Sequence, residues 1–189
     1  MKTRESGMPG QDLWETFFQP ESILEKLGLK PDTRLVVDFG CGYGTFSLPA
    51  AKMIEGRLIG LDIDDKMVAF CADRAQSMGI GNATFEARDF VAEGTALAAG
   101  TADYVMLFNI LHAERPDALL REAHRILAPA GRLAVVHWNY DPATPRGPSM
   151  NIRPRPGDCR RWMEENSFSV PGTTLNLPPW HYGLVGVPV

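Results

Sequence analysis

The chain has 189 residues, 44 % of them hydrophobic, and a formal net charge of −4. That is enough apolar material for one good core, and it puts the chain at the upper edge of common single-domain sizes. The slightly acidic balance gives no global basic footprint, which disfavours a protein that grips nucleic acid mainly through phosphate attraction.

Residues 11–29 carry apolar side chains at Leu13, Trp14, Phe17, Phe18, Ile23, Leu24 and Leu27, the spacing of an amphipathic helical region interrupted at Pro20. Residues 34–39 read as a buried strand, followed by a glycine-rich turn and a helix over 45–53. A second strand over 57–61 ends at Asp62, and Asp64 is placed to cap a helix that runs to about Met78 and stops at Gly79. Residues 83–88 predict strand three, 93–99 a short helix of small residues, 102–108 strand four, 116–127 a helix and 131–138 strand five. Strands separated by helical patterns of this length imply crossover connections and a parallel sheet with helices on both faces, a doubly wound α/β domain.

After Asn139 the style changes. Residues 141–156 hold five prolines, 157–166 have a helical pattern, and 168–177 and 181–187 predict two closing strands. The expected organisation is a single domain over 1–189, with an N-terminal helical segment (1–30), a ligand-binding core (31–139) and a Pro/Arg-rich loop, helix and closing strands (140–189).

In a parallel α/β sheet the ligand crevice lies beyond the carboxyl ends of the strands, and the turn after the first strand is its floor. Gly40, Gly42 and Gly44, in the run VVDFGCGYGTF, sit on that turn. Without Cβ atoms a ligand can approach the main chain and accept hydrogen bonds from its amides. A dinucleotide fingerprint is spaced G-x-G-x-x-G, whereas here the spacing is G-x-G-x-G and Thr45 stands where the fingerprint's third glycine belongs. Asp62, eighteen residues after Gly44, can accept hydrogen bonds from both hydroxyls of a nucleoside ribose.

The run D-F-G-C-G-Y-G over residues 38–44 resembles the first motif of class I S-adenosylmethionine-dependent methyltransferases. The similarity continues through LIGLDID, FEARDF, MLFNILH, LLREAHRILAPAGRLAVVHW and PPWHYGLVGV, so nearly the whole chain takes part. The resemblance implies a Rossmann-like methyltransferase fold, with a mostly parallel seven-stranded sheet and an antiparallel C-terminal strand. It implies an S-adenosylmethionine pocket built from Asp38, Gly40, Cys41, Gly42, Tyr43 and Gly44. Asp62 would hold the ribose, Ile63 pack on the adenine, Asp89 accept the exocyclic amine, and Phe90 lie on or near the ring. Asn109 would face the sulfonium and His112 the acceptor. The implied reaction is methyl transfer to a small-molecule acceptor by in-line displacement, driven mainly by alignment and exclusion of water. Two other readings stand beside it: a nicotinamide-dependent oxidoreductase on a related sheet, and a non-catalytic regulatory protein that keeps the cofactor site.

Such a transfer needs a base only if the acceptor must lose a proton early. The candidates are His112, His137, Tyr140 and His181, with Asn109, His112 and His137 the expected catalytic set. Arg146, Arg153, Arg155, Arg160 and Arg161 stand close together with Asp158 as the one acid among them, which points to a lid over an anionic acceptor. Trp14, Phe17 and Phe18 fit the core or an apolar wall to the acceptor. Cys41, Cys71 and Cys159 have no ligand spacing, so no metal site or disulfide framework is expected. No secretory leader, membrane span or nucleic-acid partner is expected either, and the anticipated location is cytoplasmic.

Overall fold

The computed structural model describes residues 9–189. The first eight residues of the expected 1–30 segment, on which the leader reading also draws, lie outside the described residues. The helical region splits as anticipated, into α1 (Gln11–Glu15) and α2 (Pro20–Lys26). Pro20 opens α2, where its fixed φ suits the first turn and its missing N–H has no partner to lose.

The core is a sheet of eight strands: β1 (Leu35–Phe39), β2 (Arg57–Asp62), β3 (Ala83–Ala87), β4 (Ala102–Phe108), β5 (Leu127–Trp138), β6 (Phe168–Ser169), β7 (Leu175–Leu177) and β8 (His181–Pro188). The order is β3-β2-β1-β4-β5-β8-β6, with β7 also paired to β8. Pairs among β1 to β5 are parallel, and β8 runs antiparallel to β5, β6 and β7. β1 is buried at all five positions, as a strand covered on both faces must be. Leu35, Val37 and Phe39 join a core with α5 (Pro116–Ile126) and α6 (Pro156–Glu165), while Val36 joins one with α2 and α3 (Ser47–Met53). Strand order reverses between β1 and β4, which places the ligand crevice at their carboxyl ends.

Helix boundaries follow local chemistry. Asp64 caps α4 (Asp65–Ser77) by accepting from the Lys66 N–H at 2.9 Å, and Gly79, at φ +66°, ends the turn that follows. α6 starts at Pro156, and Asp158 accepts from the Arg155 N–H at 3.0 Å.

Three local expectations change. Residues 93–99 are not helical: Gly94 and Ala96 both have positive φ, and the Thr95 N–H and hydroxyl both donate to Glu122 at 2.7 Å. That tertiary clamp overrides a weak small-residue propensity. The stretch 168–177 divides into β6 and β7 around Pro171, which has no N–H to donate, and Gly172 at φ +85°. The strand count is therefore eight rather than seven, within the expected fold class. Finally, β5 begins at Leu127, which pairs with Ala102 before an irregularity moves the register to Arg132 opposite Tyr104.

No helix of the described residues is long and apolar enough to cross a membrane, and no group of three or more His, Cys, Asp or Glu among them could hold a metal ion.

Candidate active site

The glycine turn leaves β1 with Gly40, Gly42 and Gly44 all at positive φ (+81°, +51° and +72°). The N–H groups of Gly40 and Cys41 both donate to the Leu61 carbonyl, at 2.8 and 2.9 Å, which ties the turn to the end of β2. A Cβ on Gly40 would lie 3.1 Å from Ile110 Cδ1, so the residue is glycine for both conformation and space. Asp62 stands at the end of β2 as expected. One carboxylate oxygen accepts from the Gly42 N–H at 2.9 Å and the other from the Asp64 N–H at 3.0 Å. A carboxylate held by two amides is aimed, with lone pairs left for further donors.

Asp38 lies beneath the turn, buried, and accepts a hydrogen bond from the Ser47 hydroxyl on α3. Burial pushes its carboxyl up to about 7; the Ser47 hydrogen bond opposes the rise and the charge of Asp62 adds to it. Ser47 was not singled out in the sequence, although a hydroxyl nine residues after a buried acid, one helical turn past the glycine run, is a legible partner. Ile63 is exposed on the rim, free to cover a flat ligand.

Between Asp38, the turn and the end of β4 is a cavity of about 50 Å³, lined also by Trp14, Thr45, Phe46, Phe108 and Asn109. Small-molecule pockets usually run from roughly 300 Å³ upward, so a nucleoside needs more room than this cavity gives. Asn109 adopts φ +55°, a left-handed conformation that asparagine tolerates, with its N–H donating to the Val136 carbonyl at 2.7 Å. Nine buried side-chain nitrogens and oxygens among the described residues lack a hydrogen-bond partner. Seven of these belong to Thr45, Asn109, His137, Trp138 and His181, all at the carboxyl-end crevice or the neighbouring start of β8. Buried polar groups are nearly always paired, so this concentration singles out the crevice as the candidate site.

His112, in the turn after β4, and His137, at the end of β5, come together with Nδ1 of the first 3.3 Å from Nε2 of the second. His137 is fully buried, and its pKa lies well below the ordinary histidine value because of burial, then His112, His181 and Arg153. It stays neutral, with its ring stacked on Tyr182 at 6.2 Å.

Other expected site residues have local duties. Phe90 is buried and packs on Phe39, with ring centres 5.2 Å apart. Asp89 is at the anticipated strand end, where it accepts from the Ala92 N–H at 3.0 Å. Tyr43 turns away from the cavity: its hydroxyl donates to the Pro9 carbonyl at 3.1 Å and its ring meets Phe70. Cys41 packs with its sulfur 4.0 Å from that of Cys71, whose thiol donates to the Gly42 carbonyl. The Cys71 hydrogen bond and burial both raise the Cys41 pKa, so it is held as a thiol. Tyr140 lies beneath the Arg155 guanidinium, 3.7 Å from its ring centre.

The arginine segment does not form the expected lid. Arg153 is buried, and its guanidinium donates to the carbonyls of Asn139, Asp141, Arg146 and Pro148 and to the Thr144 hydroxyl. All five N–H groups are engaged in folding the proline-rich loop, and none is left for an anion. Arg160 binds the Val170 and Gly172 carbonyls, and Arg161 pairs with Asp158 and Glu165.

Residues 30–169 match the model of a family described as Methyltransferase domain. Phosphoethanolamine N-methyltransferase 1 of Arabidopsis thaliana is 27 % identical over 128 residues, which cover 66 % of this chain and 25 % of that protein. A 23S rRNA (uracil(1939)-C(5))-methyltransferase of Xanthomonas oryzae is 42 % identical over 66 residues, 35 % of this chain and 14 % of that one. The chain thus spans a quarter or less of these two curated relatives. The crystal structure of a SAM dependent methyltransferase from Aquifex aeolicus superposes with a TM-score of 0.84 at 22 % identity, covering 95 % of this chain and 94 % of that one.

Proposed function

Because the chain belongs to the methyltransferase-domain family, we propose that it is an S-adenosylmethionine-dependent methyltransferase acting on a small-molecule acceptor, with the described residues working as one catalytic unit. The observation that carries this reading is the meeting, at one crevice, of three positive-φ glycines, the amide-held Asp62 and the unpartnered Asn109 and Thr45 side chains.

The residues present fit the cofactor. Asp62 has lone pairs for the ribose hydroxyls, Ile63 offers an apolar cover for the adenine, and Asp89 offers a carboxylate just past β3 for the exocyclic amine. The bare backbone of Gly40 to Gly44 admits the chain between nucleoside and amino acid, and ionised Asp38 suits an ammonium group. Asn109 offers an amide oxygen to a cationic sulfur without being a nucleophile. When bound, the cofactor supplies an electrophilic methyl group whose transfer leaves a neutral thioether. What this chain must then do is align the acceptor and exclude water, which can supply up to about 7–11 kcal/mol of the barrier. Neutral His137 holds His112 in one orientation, and the pair is a candidate base for an acceptor that must lose a proton elsewhere than at the group His181 receives. The three free, buried cysteines suit a reducing, cytoplasmic compartment.

The test is isothermal calorimetry with S-adenosylmethionine, its demethylated product and NAD, on the wild type and Asp62→Ala. Binding of both sulfur nucleosides, weakened at least tenfold by the substitution, is expected. Heat with NAD alone would overturn the reading.

A further inference from the structure

Beside the cofactor cavity the structure holds a continuous group of aromatic rings. Phe46 meets Phe108 at 4.8 Å and Phe18 at 5.1 Å, and Phe18 meets His181 at 4.5 Å. His181 lies 4.3 Å from Trp138, which Trp14 approaches at 6.2 Å. Trp14, Phe46 and Phe108 also line the cavity, so the rings run without a break from the cofactor pocket to Trp138 and His181.

Two of these rings carry polar atoms that nothing among the described residues satisfies. Both nitrogens of His181 and the indole N–H of Trp138 are buried without partners, and both residues are 0 % exposed. A core that needed only rings would be better served by phenylalanine at 181, because each unpaired buried polar group is a standing cost. Burial and the charge of Arg153 lower the His181 pKa to about 3, so the imidazole is neutral and presents one donor and one acceptor.

The wall over these rings is the N-terminal segment that carries Trp14. α1 has no buried residue, and the Glu15–Arg74 ion pair at 2.7 Å and the Tyr43–Pro9 hydrogen bond tether it to the glycine turn and α4. Charge has no place in this compartment. The neighbouring cation, Arg153, has every N–H committed to loop oxygens, so an anionic group would be buried without a counter-ion.

Resting on the proposed methyl transfer, we infer that the acceptor is an uncharged planar aromatic compound carrying a hydroxyl. It binds where Trp14 now meets Trp138, with its oxygen accepting from the Trp138 indole N–H and its hydroxyl donating to His181. Ring stacking supplies the affinity, and the two unpaired polar groups select for oxygen substitution.

The experiment is calorimetry on the protein saturated with S-adenosylhomocysteine, titrated with 2-naphthol, catechol and phosphoethanolamine, for the wild type and His181→Phe. The wild type is expected to bind at least one aromatic hydroxyl at least tenfold more tightly than phosphoethanolamine. His181→Phe is expected to lose that preference at least tenfold while its affinity for S-adenosylhomocysteine and its melting temperature do not fall. Intact nucleoside binding with no aromatic hydroxyl bound, with phosphoethanolamine preferred, or with His181→Phe indistinguishable from wild type overturns the acceptor assignment and leaves the cofactor reading standing. Failure of the wild type to bind the nucleoside overturns both.

Discussion

Replacing Asp38 with Asn tests how this fold stores an acid beneath its glycine turn. In the folded protein its pKa is raised from 3.8 to about 7, chiefly by burial. A rise of about three units at about 1.4 kcal/mol each corresponds to an upper limit of about 4 kcal/mol. The sign follows from proton linkage. Between pH 4 and 7 the native state keeps a proton that the unfolded chain has released, so the advantage is full below pH 4 and is lost as pH rises through 7. Asp38→Asn keeps the shape and an oxygen for the Ser47 hydroxyl but has no charge to bury. The ligand-free variant should therefore match wild type near pH 4 and surpass it by up to about 4 kcal/mol at pH 8, a sizeable part of a total of roughly 5–15 kcal/mol. Urea denaturation of both proteins from pH 4 to 8.5 measures this, with melting temperature as a second readout at roughly 2–4 °C per kcal/mol. Parallel stability curves across that range would refute the reasoning. The same carboxylate should make cofactor affinity rise with pH through 7 in the wild type only.

Gly44→Ala places a Cβ 3.1 Å from the Cys71 sulfur and from Leu48, at φ +72°. It should cost about 1–2 kcal/mol in urea denaturation and weaken S-adenosylmethionine binding at least tenfold by calorimetry. His137→Gln keeps a hydrogen-bonding group near His112 but removes the second imidazole. On an acceptor that must lose a proton, kcat should fall about 10²-fold or more with the cofactor Kd unchanged, and an unaltered kcat would remove the pair from the chemistry.

The glycine turn and the acid opposite it were legible because they are local. A turn that needs positive φ three times in five residues demands glycine, and an acid at the end of the next strand is brought opposite it by parallel register, Asp38 beside Gly60 and Phe39 beside Leu61. Asp62 reaches the Gly42 amide for that reason alone. The acceptor half is not local. Arg153 looked like an anion binder, because counting charges along a segment says nothing about which carbonyls the loop will fold around a guanidinium. Phe90 lies past the end of β3, and only tertiary packing decides that its ring meets Phe39.

Order along the chain thus determined the doubly wound sheet and the glycine turn with its acid, since hydrophobic period, crossover handedness and turn conformation all act over short separations. Only the tertiary structure brought His112 to His137, set His181 between Phe18 and Trp138 and left both His181 nitrogens and the Trp138 indole N–H without a partner among the described residues. Those meetings join residues 25 and more positions apart, and they depend on strand pairing and packing that no local signal encodes.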